Sequence, residues 1–432
     1  MRSAIWRNRH PAAWAVAAWA AAFLLLASPA PLQGSYTTLI QNGPASNRVN
    51  IVFLGDGYTA DQLGIYLQHI NTIMDHFFNA GQDPFPRYQN FFNVYCVNVV
   101  SNESGADVPP LGIFRDTALD SSYYYLAGPE RLLYVDEGKA SAALNDGLSG
   151  SGITPTIKLV TVNDTRYGGG GGEFAVVAGG NANAGELALH EIGHSFAGLA
   201  DEYGDGSSTY WGSEPSQVNI TKDPCGTKWA PWLGYVDSLG TVGAYQGAGG
   251  YQYGLYRPTV TGKMNALGQP FNAVDREQII KSIYAVVHPL DDYLQATGTL
   301  MDPSSLWVDT VDPNVIQVAW SVNGVSVAAA TGETFRLSDY GYGAGLYDVV
   351  ARAFDSTDWV RSDPNGLLEQ SVEWEVELTP EPASLLLVFA GAGWIVLRRR
   401  ARTAVTATRS RISPPSGRLS TDSGRHGPRP RA

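Results

Sequence analysis

The run His190-Glu191-Ile192-Gly193-His194 limits what this chain can be more than any other stretch. Histidines four apart project from one face of a helix, so both imidazoles can reach a single metal ion. The spacing predicts a helix over about residues 184–197, with Leu187, Leu189, Ile192 and Phe196 available to a core. Gly198 can end it by taking a left-handed conformation. Glu191 stands beside the first imidazole, where a carboxylate can take a proton from metal-activated water. With seven His in 432 residues, such a string arises by chance in on the order of one in a few hundred chains.

Charge is distributed unevenly along the chain. Arg2, Arg7 and Arg9 precede an apolar run from Ala12 to Ala27 and the small residues Ser28-Pro29-Ala30, the order of a secretory signal peptide. Residues 383–432 carry ten Arg and one Asp. Without both ends, 16 basic residues face 40 acidic ones. A body that acidic repels nucleic acid at long range, so no nucleic-acid partner is expected. Cys96 and Cys225 can form one disulfide outside the cytosol, or Cys96 can be a buried strand residue; two cysteines do not make a disulfide scaffold.

Near the C-terminus, Pro380-Glu381-Pro382 leads into an apolar run ending at Leu397, followed by Arg398-Arg399-Arg400 and Arg402. An apolar segment with a basic end is held in a membrane with that end in the cytoplasm. The series closely resembles a PEP-CTERM sorting signal. That resemblance implies cleavage by an exosortase in a Gram-negative bacterium, after signal peptidase has acted at the other end. The chain runs on from Thr403 to Ala432 in a Ser/Pro/Arg-rich tail that reads as disordered, whereas such signals usually stop soon after the basic cluster.

Between the signals, strand and helix patterns mix from Tyr36 to Leu290. Asn50–Gly55, Phe91–Ser101, Arg131–Val135, Ile157–Val162 and Glu173–Ala178 read as strands. Residues 60–80 read as a helix with Leu63, Leu67, Ile70, Met74 and Phe77 along one stripe. From about Leu300, strict alternation through Ile316, Val318, Trp320 and Val322 meets an Asn323-Gly324 turn, and it recurs through Tyr347–Ala353 and Val372–Val376. That pattern predicts a small all-β sandwich of immunoglobulin-like type, a spacer or docking module. The domains expected are therefore a signal peptide (1–30), a metal-binding α+β domain (31–294), a β-sandwich (295–378), a sorting signal with membrane segment (379–402) and a basic tail (403–432).

Two histidines leave zinc short of its usual third protein ligand. The motif resembles metalloproteases of the metzincin type, which place Gly three residues after the second His and the third ligand three later. Here those positions hold Ala197 and Ala200, but a shift of one residue gives Gly198 and Asp201 with the internal spacing kept. Asp201 is thus the preferred third ligand and Glu202 the alternative, the other carboxylate serving as a cap or as an acceptor for an imidazole N–H.

The chain is more closely similar to the IgA-peptidase metallopeptidase family. The likeness is carried by Asn50–Tyr58, Tyr167-Gly168-Gly169, His190–Tyr203, Gly254–Pro258 and Met264–Phe271. It implies a zinc endopeptidase with a mixed sheet over an active-site helix, and Met264 as an apolar floor beneath the metal. The family turn carries cysteines where this chain has Lys263 and Asn272.

A coherent mechanism follows. Zn2+ on His190, His194 and an acid keeps one position open for water, and Glu191 takes the proton and passes it to the leaving amine. Tyr256 and Tyr203 are candidate donors to the oxyanion. The glycine run Gly168–Gly172 is either a sheet edge for an extended peptide or a flexible loop. The expected protein is an exported zinc endopeptidase acting on protein or peptide, held first at the inner membrane and then at the cell surface or outside. The alternative is a non-catalytic exported surface or matrix protein with a structural metal site; the intact Glu191 favours the enzyme.

Overall fold

The computed structural model describes residues 35–380, so the expected signal peptide and the body of the sorting signal lie outside the described residues. The first layer is a six-stranded sheet of β1 (Tyr36–Ile40), β2 (Val49–Asp56), β3 (Phe92–Val97), β4 (Ile157–Val162), β5 (Gly169–Gly170) and β6 (Ala175–Ala178). Its order is β1-β3-β2-β4-β6-β5, with β3, β2, β4 and β6 parallel and both edge strands antiparallel.

Parallel strands are covered on both faces, which explains their unbroken apolar runs. All eight residues of β2 are buried. Val49, Ile51 and Phe53 point to one core, shared with helices α1 (Leu63–Phe77) and α3 (Ala184–Ser195). Val52 and Leu54 point to the other, shared with α2 (Glu137–Gly147). The helix expected over 60–80 begins later because Thr59 and Gln62 close a capping box around a short 3-10 turn at Ala60–Gln62. Its buried stripe is Tyr66, Ile70, Ile73, Met74 and Phe77, with Leu63 and Leu67 at the rim.

Arg131–Val135 is not a strand. Leu132 and Tyr134 make only isolated bridges, to Gly169 and Ser122. Cys96 is buried in β3, Cys225 is exposed and both are free thiols, so the disulfide does not form.

The remaining strands form two larger sheets and two short hairpins. Five strands order as Leu300–Met301, Glu369–Leu378, Gly345–Asp355, Ile316–Val322 and Val325–Thr331, and three as Leu290–Tyr293, Leu306–Thr310 and Thr334–Phe335. Leu290–Tyr293 precedes the expected boundary at 294, yet it pairs with Leu306–Thr310. Trp320 is buried against Phe335 and Trp374, with ring centroids 5.0 and 5.8 Å apart.

These sheets are built onto the first layer rather than tethered to it. Asp355 accepts from Tyr88 Oη at 2.6 Å, Tyr284 Oη at 2.9 Å and Arg87 at 2.8 Å, all from residues before the expected boundary at 294. Arg48, 1% exposed, makes a two-pronged pair with Asp291 at 2.6 Å on each arm. The C-terminal sheets therefore contact the rest of the body through buried polar side chains.

Candidate metal centre

Helix α3 follows β6 directly and runs under the sheet edge made by β5. Leu187, Leu189 and Ile192 are buried, which turns His190 and His194 to the opposite, half-open side. Gly198 takes φ +63° and its N–H donates to the His194 carbonyl at 3.0 Å, the left-handed stop read from the sequence. Leu199 N–H then bonds back to the Gly193 carbonyl at 2.9 Å, so the chain reverses over the histidines.

That reversal brings Asp201 to the motif. Its Oδ1 lies 3.2 Å from His190 Nε2 and 3.3 Å from His194 Nε2, and the two Nε2 atoms are 3.2 Å apart. Among the described residues this is the one cluster of three or more His, Cys, Asp or Glu side chains able to hold an ion.

Protons decide whether a cation suits the site. His190 Nδ1 donates to the Lys263 carbonyl at 3.1 Å and His194 Nδ1 to the Leu199 carbonyl at 2.8 Å. In the neutral rings both Nε2 atoms are then lone pairs aimed at one another and at Asp201. Asp201 Oδ1 is buried without a hydrogen-bond partner. Three converging lone pairs repel unless a positive charge lies among them. Burial works against charge on both groups, yet Asp201 raises the pKa of His194 and the two imidazoles hold Asp201 well below the usual carboxylate range. The triangle also has the right size, since donors at three corners of a tetrahedron with zinc bonds of about 2.0–2.1 Å stand about 3.3–3.4 Å apart. The residues fit a tetrahedral divalent ion.

Glu202, the alternative ligand, is not in the cluster. It is fully buried and accepts from Asn272 Nδ2 at 2.9 and 3.0 Å and from Asn219 Nδ2 at 3.1 Å. Burial pushes its pKa up to about 7 despite these donors, and pushes its neighbour Asp275 well above the carboxylate range. Asn272 has a second task, because its Oδ1 caps helix α4 (Ala273–Tyr284) at the N–H groups of Val274 and Asp275.

The backbone around Asp201 is fixed residue by residue. Asn219 bonds both the N–H and the carbonyl of Ala200 at 2.9 Å. The Asp201 carbonyl accepts from Gly249, Glu202 N–H donates to the Met264 carbonyl, and the Glu202 carbonyl accepts from Asn265 Nδ2. Lys263 and Asn272 hold this loop by polar contacts: Lys263 is fully buried and pairs with Glu186 at 2.6 Å.

Met264 is fully buried beneath α3, and a Cβ on Gly193 would stand 2.6 Å from its Sδ. Glycine is what lets the sulfur approach the helix between the two histidines.

A cleft of about 220 Å³ opens beside the cluster, lined by Arg131, Tyr167, Gly169, Leu187, His190, Glu191, Tyr203, Lys263 and Asn265 to Leu267. Burial raises the Glu191 pKa, and the two histidines oppose the rise. Tyr203 lines this cleft; burial and the Asp201 charge push its pKa to about 12, so it stays a donor. Tyr256 is not among the lining residues; it sits on Tyr251–Arg257, paired with Gln246 and Thr221. Gly171 passes over the carboxylate so closely that a Cβ there would lie 2.8 Å from Glu191 Oε2. The glycine run is not a free edge at its start, since Gly169 N–H already bonds the Arg131 carbonyl at 3.0 Å.

Residues 37–241 match the family model for IgA Peptidase M64. The match takes in His190, Glu191, His194, Asp201 and Asn219 and supports a peptidase, with a mixed α+β body that fits such a domain. It ends before Met264 and Asn272, so the turn beneath the metal rests on its own geometry. No curated protein matches the chain.

Sequence reading missed Arg131, Asn219 and Asn265. Each acts through a contact across 60 or more positions or through a neighbour in space, except Asn219, which acts 17 to 19 residues along. No local pattern marks any of them. His69 and His76 have structural partners, Tyr58 Oη and Glu186, each at 2.8 Å.

Proposed function

We propose that the chain is an exported zinc-dependent endopeptidase of metzincin-like arrangement, in which His190, His194 and Asp201 hold the ion and Glu191 is the general base. One observation carries this reading: three donor atoms 3.2–3.3 Å apart, all lone pairs, beside an unpaired buried carboxylate that is not a member of the cluster. A zinc ion held there supplies Lewis-acid chemistry, activating water and polarising the scissile carbonyl. Glu191 accepts the proton of the attacking water on its carboxylate and returns it to the leaving nitrogen; its raised pKa suits both transfers. Tyr203 donates a hydrogen bond to the oxygen on which charge develops. The backbone at Gly171 keeps the space above Glu191 narrow, so an extended peptide passes there without a side chain in the way.

The termini support export, with signal peptidase at the N-terminal end and an exosortase acting on the sorting signal. The C-terminal pair of sheets is read as an immunoglobulin-like sandwich that supports α4 and, through Asn272, the metal loop. Among the described residues no helix is long and apolar enough to cross a membrane.

The test compares the wild type with Glu191→Ala on a peptide library, with zinc content measured in both. Cleavage should fall by about 10²–10⁴-fold while zinc stays bound. Equal cleavage by both proteins removes the peptidase assignment and leaves a structural metal site on a surface protein.

A further inference from the structure

We infer that Arg131 makes the cleft beside His190 a carboxylate-binding subsite, so that the enzyme selects peptides presenting a carboxylate on one side of the cleaved bond. This rests on the peptidase reading of the same site and adds its specificity.

Three observations point to the anion. Arg131 lines the cleft together with His190 and Glu191, is exposed, and has no carboxylate within ion-pairing distance among the described residues. The other cation of the cleft, Lys263, is fully buried and neutralised by Glu186 at 2.6 Å, leaving Arg131, beside the Tyr203 phenol, as the lining cation without a carboxylate ion pair. Arg131 also hangs from a fixed point: its carbonyl accepts from Gly169 N–H at 3.0 Å, and Leu132 bridges Gly169 in parallel. Its backbone is thus fastened to the strand edge that covers Glu191.

A guanidinium is matched by a group with two coplanar acceptor oxygens, and in a peptide that group is a carboxylate. Tyr203 and Tyr167 line the same cleft and carry phenol groups that can donate. The net charge of −12 does not oppose this choice, because surface charges beyond about 8 Å are screened at physiological salt whereas a contact pair is not. The carboxylate has two sources, an Asp or Glu side chain or the α-carboxylate at a substrate's C-terminus.

The experiment measures binding, so it does not depend on turnover. Full-length Glu191→Gln protein, loaded with Zn2+, is titrated by fluorescence anisotropy with labelled peptides. One arm walks a single Glu or Gln through a peptide capped at both ends; the other compares free-acid and amide C-termini on a neutral peptide. A preference of about 10- to 100-fold for the carboxylate member is expected in one arm. It should shrink towards unity in Arg131→Gln, persist in part in Arg131→Lys, and invert towards a Lys-containing peptide in Arg131→Glu. The arm that shows it identifies the source. Ratios near one in both arms, or a ratio that survives Arg131→Gln, overturn the inference. So does a result in which Arg131→Gln in the active enzyme lowers kcat equally for Glu and Gln peptides without changing the binding ratio, which would make Arg131 a stabiliser of the reacting oxygen. Failure of the peptidase reading appears elsewhere, as cleavage independent of Glu191.

Discussion

Asn272 joins two parts of the site, and removing it should damage both by a calculable amount. Its Oδ1 caps α4, and its Nδ2 donates to both oxygens of the buried Glu202. Loss of a cap of this kind costs about 1 kcal/mol. Loss of a donor to a buried carboxylate costs about 1–3 kcal/mol, towards the lower end here because Asn219 still donates at 3.1 Å. Asn272→Ala should therefore destabilise by about 2–4 kcal/mol. Asn272→Ser keeps a capping oxygen and loses the Glu202 contact, so it should fall about 1 kcal/mol short of the alanine variant. Urea unfolding with chelator present, read as a shift in midpoint at unchanged slope, measures both without a contribution from metal. Because Glu202 adjoins Asp201, zinc affinity should also weaken, by about 10- to 100-fold for either variant. An alanine variant within about 0.5 kcal/mol of wild type, or serine and alanine variants of equal stability, would refute the double role. Unchanged zinc affinity would refute the link from Glu202 to the metal loop.

Other outcomes follow from the same geometry. Asp201→Ala should lose zinc in a metal-content assay under conditions where Glu202→Ala retains part of it; the reverse order would make Glu202 the ligand. Asp355→Ala strands two buried tyrosine hydroxyls and Arg87, and should cost about 3–5 kcal/mol in urea unfolding; a loss below 1 kcal/mol would mean the sheets do not stabilise one another there. Gly171→Ala puts a Cβ 2.8 Å from Glu191 Oε2 and should lower kcat/KM by about 10- to 100-fold with zinc content unchanged. Chelation should abolish cleavage and zinc should restore it, while activity that survives complete metal removal would contradict the role given to the ion.

The geometry of the motif was legible in the chain because helical periodicity is local. His190 and His194 need only a turn of helix to share a face, and Gly198 needs only its own backbone freedom to stop it. The parallel strands were legible as well, since burial on both faces leaves apolar runs such as Val49–Leu54. Arg131–Val135 misled because Leu133 and Val135 are buried in the core shared with α2, while Leu132 and Tyr134 make isolated bridges rather than a ladder.

Local pattern preferred Asp201, through its spacing from Gly198, but kept Glu202 as the alternative, since the two are adjacent, both acidic and equally able to bind a metal. Tertiary structure chose, because alternate residues of an extended loop face opposite ways. Asn219, Asn272 and Asn265 claim one carboxylate and the backbone beside it, and the other swings onto the imidazoles. Nor does the sequence tell which of 22 tyrosines reaches the cleft, or that Arg131 lines it without a carboxylate ion pair. Hydrogen bonds and ion pairs between distant positions have no period to read; they exist only once the sheet, the helix and the turn have been brought together.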